Sequence, residues 1–170
     1  MIKKSALFLL VFLLVACNKH KVKQNINPLL GSWKMQKITW IGKDKSYPIE
    51  KAQSGIYLFT ANSYSIAWTP TKEPRVPFIN LSKPTDAEKI AGFSSVVFNA
   101  GSYTFTDKTV TTKAYIAKVP GFEGGIQYYN YSIGGNILTL TMFDETYPNG
   151  DKPEWSGKYK TEFVLEKVTQ

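Results

Sequence analysis

The stretch that decides the fold is residues 126–143, which read IQYYNYSI, then GGN, then ILTLTMF. Both arms are rich in aromatic and β-branched residues, and Leu138, Leu140 and Met142 fall at every second position, the period of a half-buried strand. The link between the arms carries two glycines and an asparagine, which tolerate the positive φ that a tight hairpin needs. We therefore predict two antiparallel strands joined by a short turn.

The same pattern of short β-rich segments and turn residues recurs along most of the chain. Eight strands are the number at which an antiparallel sheet can close on itself and hold a small ligand. The prediction is an all-β, eight-stranded antiparallel up-and-down barrel, with a two-sheet sandwich as the alternative. The predicted strands are residues 29–41, 55–60, 63–69, 102–106, 109–119, 126–133, 137–143 and 158–168.

One segment, residues 70–84, interrupts the pattern with four prolines. Proline cannot donate to a strand ladder, so we predict a surface excursion here. Thr85 followed by Glu88 matches a capping box and predicts a short helix between strands 3 and 4, ending before Gly101. The apolar stripe expected on this helix consists of Ile90, Phe93, Val96 and Val97.

The N-terminus has the features of a sorting signal: a basic head followed by an apolar run from Ala6 to Ala16. That run is too short for a membrane span, which needs about 20 apolar residues. Leu14-Val15-Ala16-Cys17 resembles the bacterial lipobox, and Cys17 is the only cysteine. The resemblance implies that residues 1–17 form a lipoprotein signal peptide and that Cys17 is acylated. The alternative is an ordinary cleaved signal with an incidental cysteine.

The remaining chain divides into a polar tether, residues 18–28, and one domain, residues 29–170, long enough to bury a core. Asn18 after the cysteine favours the outer membrane of the bacterial envelope as the destination. The formal net charge of +8 falls to +6 once Lys3 and Lys4 leave with the signal peptide. Because the lysines are scattered and Arg75 is the only arginine, we expect no nucleic-acid partner and a monomeric protein.

The start of the first predicted strand, Gly31-Ser32-Trp33, resembles the Gly-x-Trp signature of lipocalins. The wider pattern over residues 29–168 resembles the bacterial lipocalin-like domains. The resemblance implies a barrel that binds a ligand at its open end, with the tryptophan closing the other end, often under an arginine from late in the chain. Since this sequence has no arginine after Arg75, Lys158 or Lys160 would have to take that place, and the contact is left unassigned.

The sequence offers few parts for catalysis. His20 is the only histidine, so Ser-His-Asp and Cys-His schemes lack their base, and histidine or thiolate metal sites are excluded by count. No phosphate-binding glycine loop is present. We expect no enzyme activity, no cofactor and no metal, although a cofactor-free reaction through tyrosine and carboxylate remains open. The oxygen-rich segment 144–154 could hold Ca²⁺, but its spacing fits no known calcium loop, and a solvated hairpin tip explains it.

The aromatic residues are what remains to carry a function: ten tyrosines, ten phenylalanines and four tryptophans. Those predicted to face the lumen would form apolar walls with phenol hydroxyls, suited to a small, partly hydrophobic or amphipathic ligand. Arg75, on the excursion that would form part of a lid, could anchor an acidic group, although an exposed loop arginine is usually solvated. The candidate ligand-binding residues are Trp33, Tyr57, Phe59, Tyr64, Trp68, Arg75, Tyr103, Phe105, Tyr129, Tyr131 and Tyr159.

The alternative function is an envelope protein-interaction or structural module. In that case the same rings fill the barrel, and the outer face or the loop around Trp155 contacts a partner protein. The cavity volume separates the two, because a pocket below about 300 Å³ is too small for ordinary ligands.

The lipobox makes a direct prediction about membrane attachment. The intact protein should partition into the detergent phase of a Triton X-114 extraction and carry the mass of its acyl chains. Cys17→Ser removes the acylated thiol and should move the protein to the aqueous phase. Unchanged partitioning of this variant would contradict lipidation at Cys17.

Overall fold

The computed structural model describes residues 27–169, which form one antiparallel sheet and one helix. The signal peptide, Cys17, His20 and nearly all of the tether lie outside the described residues. The nine strands are β1 (Gly31–Ile41), β2 (Ser46–Ile49), β3 (Gly55–Phe59), β4 (Ser63–Trp68), β5 (Val97–Phe105), β6 (Thr109–Ala117), β7 (Ile126–Gly134), β8 (Ile137–Thr146) and β9 (Lys160–Lys167), and the helix is α1 (Asp86–Ser94).

The sheet closes because its first long strand pairs with its last. The strand order is β2-β1-β3-β4-β5-β6-β7-β8-β9, and β1 also pairs with β9 from Trp33 opposite Lys167 to Ile41 opposite Lys160. The eight long strands therefore form the predicted closed barrel, and the sandwich is excluded. All the pairings lie between residues 31 and 167, so this stretch is a complete barrel by itself.

The deciding hairpin forms as predicted, with Gly134 opposite Ile137 and a two-residue link of Gly135 and Asn136. Gly135 has φ +60°, whereas no non-glycine residue among those described has a positive φ. A positive φ at the first linking residue alone is typical of a type II′ turn, which matches the twist of the flanking strands.

The short strand β2 is absent from the sequence prediction. It pairs with the second half of β1, where Ile38 lies opposite Ile49, and it is an edge strand. Pro48 in its middle argues against a strand, but an edge strand tolerates proline because one side of it has no ladder to complete. With β2 counted, α1 follows β4, and not the third strand as predicted.

Helix α1 begins as predicted and ends earlier. Thr85 and Glu88 form the capping box in both directions. The apolar stripe is wrong, since Ile90 and Phe93 are exposed and none of the helical residues is buried. Val97 belongs to β5, where it lies opposite Trp68 of β4. Val97 is in the strand and not in the helix because pairing with β4 satisfies its backbone hydrogen-bonding groups.

Strand β5 thus begins five residues before the predicted Ser102. Its register shifts against β6 between Ala100 and Gly101. A Cβ atom on Gly101 would lie 2.0 Å from the carbonyl oxygen of Lys113, so only glycine allows the two backbones to approach this closely.

Aromatic rings fill the lumen at mid-height. The ring of Phe163 lies 5.6 Å from that of Tyr57 and 5.1 Å from that of Trp68, centroid to centroid. A cavity of about 10 Å³ lies among the side chains of Tyr57, Phe59, Tyr64 and Tyr129. That is enough for one water molecule at most, so the lumen at this level is a packed core.

Trp33 and the residues before β1 close one end of the barrel. The indole nitrogen of Trp33 donates to the carbonyl oxygen of Leu29 at 2.7 Å, and both residues are fully buried. The ammonium of Lys167 lies 4.6 Å from the centre of the indole ring and donates to the carbonyl of Leu30. Lys167 is therefore the late cation over the tryptophan, a cation–π contact.

The two lysines considered for that contact from the sequence lie elsewhere. Lys158 precedes β9 and Lys160 opens it, at the opposite end of the strand from Lys167. The resemblance implies a cation late in the chain without fixing its place on the last strand, and the register puts residue 167, not 160, opposite Trp33.

Within residues 27–169, the single helix is far shorter than a membrane span requires.

Two buried tyrosines provide a matched test of the core. The hydroxyl of Tyr64 donates to Oδ1 of Asn99 at 2.6 Å, whereas the buried hydroxyl of Tyr57 has no partner among the described residues. Tyr64→Phe leaves a buried acceptor unpaired and should lower the free energy of unfolding by about 1–3 kcal/mol. Tyr57→Phe should leave it unchanged or raise it. Equal losses in urea denaturation would contradict this assignment.

Candidate ligand-binding site at the open end

Most of the candidate residues lie where the sequence predicts them, on the inner face of the barrel. Phe105 and Tyr131 are partly buried and pack against the core. The buried ones are Trp33, Tyr57, Phe59, Tyr64, Trp68, Tyr103 and Tyr129. Because these rings pack against each other with so little space between them, they form the floor of a site and not its walls.

Tyr159 is half exposed, which contradicts its predicted inward orientation. The prediction began the last strand at residue 158, but β9 begins at Lys160. Tyr159 lies in the preceding turn, where its backbone N–H donates to the carbonyl of Trp155 at 3.1 Å. The alternation of a strand therefore does not extend to this residue.

Arg75 is exposed and lies apart from the lumen residues. Its Nε donates to the hydroxyl of Ser95 at 2.9 Å, which ties the excursion to the C-terminal end of α1. At the other end of the helix, the carboxylate of Glu88 accepts from the backbone N–H of Ile79 at 2.7 Å. These contacts give the excursion and α1 a defined shape at the open end.

A pocket opens above the packed core, at the end of the barrel opposite Trp33. Its volume is about 220 Å³. It lies between the start of β5, the end of β6, the start of β7 and the end of β8. Its lining residues are Val97, Phe98, Asn99, Ala117, Lys118, Val119, Phe122, Gln127, Glu145 and Tyr147.

A continuous chain of hydrogen bonds leads from the core into this pocket. The hydroxyl of Tyr64 donates to Asn99, and Nδ2 of Asn99 lies 3.4 Å from Oε1 of Gln127. The hydroxyl of Tyr129 donates to the same oxygen of Gln127 at 2.9 Å, and Nε2 of Gln127 donates to Oε2 of Glu145 at 2.7 Å. Every donor in the chain is directed towards Glu145, which is the final acceptor.

A β-bulge brings Glu145 to the inner face. Tyr129 lies opposite Met142 and Tyr128 opposite Asp144, so Phe143 is the extra residue of β8. In a regular strand Asp144 would follow Met142 on the inner face, because the side-chain period is two. The bulge reverses this alternation and puts Glu145, not Asp144, opposite Gln127.

Burial raises the pKa of Glu145, and the neighbouring Asp144 raises it further, while the hydrogen bond from Gln127 lowers it. Among the described residues no lysine or arginine forms an ion pair with this carboxylate. Burial also raises the pKa of Tyr64 to about 12 and that of Tyr129 well above its usual value, so both phenols remain donors at neutral pH. A partly buried carboxylate that faces a cleft without a cationic partner is a typical feature of functional sites.

Lys118, the cation in the pocket wall, is held by α1. Its ammonium donates to the carbonyl of Phe93 at 2.8 Å and lies 4.4 Å from the centre of the Phe93 ring. The contact connects α1 to the rim of the pocket, the position expected of a lid, and it leaves Glu145 as the charged group directed inward.

The acidic loop after β8 does not resemble a metal site. Asp144 accepts hydrogen bonds from Ser156, at 2.6 Å, and from Lys152, and Asn149 bonds to Asp151 at 2.6 Å. Within the described residues, no three potential metal-ligating side chains are grouped to hold an ion. These contacts are those of a structured hairpin tip.

Sequence reasoning missed the three pocket residues that form the hydrogen-bonded chain: Asn99, Gln127 and Glu145. Gln127 and Tyr129 are two residues apart on β7 and therefore face the same side of the sheet, so the alternation of the strand already indicated that Gln127 points inward. Asn99 lies in the part of β5 that was assigned to the end of the helix. Glu145 depends on the bulge at Phe143, which no residue pattern in the chain marks.

Comparisons with known proteins agree with this architecture. The family model described as a lipocalin-like domain matches residues 30–166, nearly the whole barrel. Among curated proteins, none matches the chain significantly.

One solved structure with a similar outline is an uncharacterized protein from Bacteroides eggerthii DSM 20697, determined by crystallography at 2.60 Å resolution. It is 14% identical, with a TM-score of 0.41, over 82% of this chain and 99% of that one. A likeness at this level supports no statement about function.

The raised pKa of Glu145 predicts a pH-dependent effect on stability. A buried carboxyl that binds its proton more tightly when folded costs stability as the pH rises from the unfolded value of 4.5 through the folded pKa. Glu145→Gln removes this cost and should raise the melting temperature at pH 7, with the gain vanishing below about pH 4.5. A gain of the same size at pH 7 and pH 4 would contradict burial as the cause.

Proposed function

Because the chain belongs to the lipocalin-like domain family, whose fold is typically a binding fold and not an enzyme, we propose that it binds a small ligand at the open end of its barrel. The single observation that carries this proposal is the Asn99–Gln127–Glu145 chain, which leads from the core into a concave pocket. Buried polar groups of this kind cost free energy unless a partner satisfies them, so their presence in a cleft favours recognition of a polar group.

The size of the pocket limits the ligand. About 220 Å³ is below the roughly 300–1,000 Å³ of ordinary small-molecule sites. The packed rings below the pocket prevent a long chain from entering the lumen. We therefore propose a compact ligand that contacts the polar floor and lies under the rim, instead of one threaded among the tyrosines.

The charge of the pocket indicates the chemistry of the ligand. When it is ionised, Glu145 can accept hydrogen bonds but cannot donate one, and it already accepts from the Gln127 amide on one oxygen. A ligand ammonium or N–H group would complete its coordination and neutralise it. Val97, Val119 and Phe122 supply apolar walls for the rest of the molecule. The proposed ligand is a small amine, or another N–H donor, with an apolar body.

The proposed place of action rests on the predicted signal peptide. We propose that acylated Cys17 holds a monomeric barrel on the bacterial envelope, at the outer membrane, with the binding site at the end of the barrel away from the tether. Asn27 supports this orientation, because its side chain bonds to the hydroxyl of Tyr103 near the closed end, where β1 begins. No catalytic step is part of the proposal.

Glu145→Gln tests the ligand class. The probes are benzylamine, cationic at neutral pH, and benzyl alcohol, a neutral molecule of similar shape, titrated by calorimetry into residues 18–170. Glu145→Gln should weaken benzylamine binding about tenfold and leave benzyl alcohol unchanged, because one charge-assisted hydrogen bond is lost. Benzylamine binding should also decline as the pH falls through the raised pKa of Glu145, since the protonated acid cannot pair with the amine.

Glu154→Gln is the matched control, because Glu154 is exposed and outside the pocket. An equal effect of both substitutions on benzylamine binding would contradict the site. Native mass spectrometry of residues 18–170 after purification adds a direct measurement, and a retained small molecule lost in Glu145→Gln would identify the ligand class.

The second candidate, an envelope protein-interaction module, is favoured by the packed lumen and by the excursion. Val76, Ile79 and Leu81 are each more than four-fifths exposed. Exposed apolar side chains grouped within one short segment are typical of contact surfaces. Absence of benzylamine binding and of any retained small molecule would favour this candidate.

A further inference from the structure

A second concave surface lies at the rim of the barrel, on the far side of β8 from the pocket around Glu145. Its volume is about 710 Å³, and it is bounded by the turn between β1 and β2 and by the segment that leads into β9. We call it the rim groove. Its lining residues are Ile41, Gly42, Lys43, Asp44, Lys45, Tyr47, Phe143, Gly157, Lys158, Tyr159 and Lys160.

The position of the groove follows from the pairing of β1 with β9. Ile41, the last residue of β1, lies opposite Lys160, the first residue of β9. The β1–β2 turn is fixed by the hydrogen bond from the backbone N–H of Gly42 to the carbonyl of Lys45, at 2.9 Å. A Cβ on Gly42 would lie 3.2 Å from the ring of Tyr159, so the two sides of the groove are in contact at this point.

Four lysines face this space from its two sides. Lys43 and Lys45 belong to the β1–β2 turn, Lys158 lies just before β9, and Lys160 is the first residue of β9. Asp44 is the one acid in the lining, so the groove has a formal charge of +3. The three ion pairs of the described residues are all elsewhere, so these ammonium groups have no carboxylate within 4 Å. This net positive charge favours the binding of an anion.

The walls between the lysines are apolar and aromatic. Phe143, the bulged residue of β8, packs its ring 6.3 Å from that of Tyr128 and also lines the groove. Ile41, Tyr47 and Tyr159 complete the walls, and both tyrosines are half exposed or more. Exposed aromatic rings beside lysines suit a molecule with an anionic head and an apolar body.

We propose that the rim groove is a second binding site, for a single organic anion with an apolar body, of the kind represented by a phosphate-bearing amphiphile. The lysines on both sides hold the anionic group, and Ile41, Tyr47, Phe143 and Tyr159 contact the apolar part. The concave shape favours an individual molecule over a flat bilayer surface. The site is independent of the pocket around Glu145.

The probe is dihexanoylphosphatidic acid below its micellar concentration, and its zwitterionic counterpart is dihexanoylphosphatidylcholine. Calorimetry with residues 18–170 should show at least tenfold tighter binding of the phosphatidic acid, and its affinity should fall as salt is added. The combined variant Lys43→Gln, Lys45→Gln, Lys158→Gln, Lys160→Gln should lose roughly tenfold or more in affinity, since it removes four ammonium groups.

The matched control changes the same net charge elsewhere. Lys34, Lys72, Lys83 and Lys113 are exposed, lie outside the groove and form no ion pair within the described residues. Their combined change to glutamine should leave affinity within twofold. Tyr47→Ser, a change at an exposed position, should weaken phosphatidic acid binding while leaving the melting temperature unchanged. Glu145→Gln should have no effect on phosphatidic acid binding.

Three results would overturn the proposal. Equal losses of phosphatidic acid affinity in the two four-lysine variants would show that the overall charge of the protein, and not the groove, causes the binding. If inorganic phosphate bound as tightly as the phosphatidic acid, the apolar walls would contribute nothing to the affinity. Binding to vesicles of phosphatidylcholine and phosphatidic acid in a 4:1 ratio, without binding to the monomeric lipid, would make the groove a membrane-contact surface.

Discussion

The pairing of β1 with β9 is the constraint on which the rest of the structure depends. It closes the eight long strands into a barrel, beside which the short β2 is an edge strand, and it fixes the size of the lumen, because eight strands enclose a space that side chains can fill. Phe163 on β9 then meets Tyr57 and Trp68 from the other side of the barrel. Closure thus turns a series of half-buried strands into a single aromatic core, and a ligand inside the barrel can use only the space that this core leaves.

That space lies above the rings, and its polarity has a physical explanation. Phenol hydroxyls cannot be buried deep in an apolar lumen without cost unless they are bonded. Tyr64 and Tyr129 extend upward and donate to amides, which in turn donate to Glu145. The donors are aligned, so each bond favours the next and all favour negative charge at the end of the chain. The same contacts that satisfy the core tyrosines therefore prepare a carboxylate at the mouth of the barrel.

The parts of this structure that the sequence predicts are those governed by strict alternation. Leu138 and Leu140 on β8, and the turn at Gly135, depend on neighbouring residues alone, and the structure has them as predicted. Glu145 and β2 depend on other strands: a bulge is set by how Tyr128 and Tyr129 pair across the sheet, and Pro48 is tolerated only because nothing pairs beyond it. Tyr159 was misplaced because alternation was extended past the end of its strand. Non-local pairing is what a single sequence shows least clearly.

The bulge at Phe143 also explains how one strand can serve two separate surfaces. By adding one residue, it turns Glu145 inward to Gln127 while Asp144 pairs with Lys152 outside, and it leaves the ring of Phe143 against the rim groove. Without it, Asp144 would face the lumen and lose its lysine, and Glu145 would add an acid to the outer surface. The pocket around Glu145 and the rim groove are thus separated by a change of one residue in register. Since a bulge is set by backbone pairing, each site can change its side chains without altering the other.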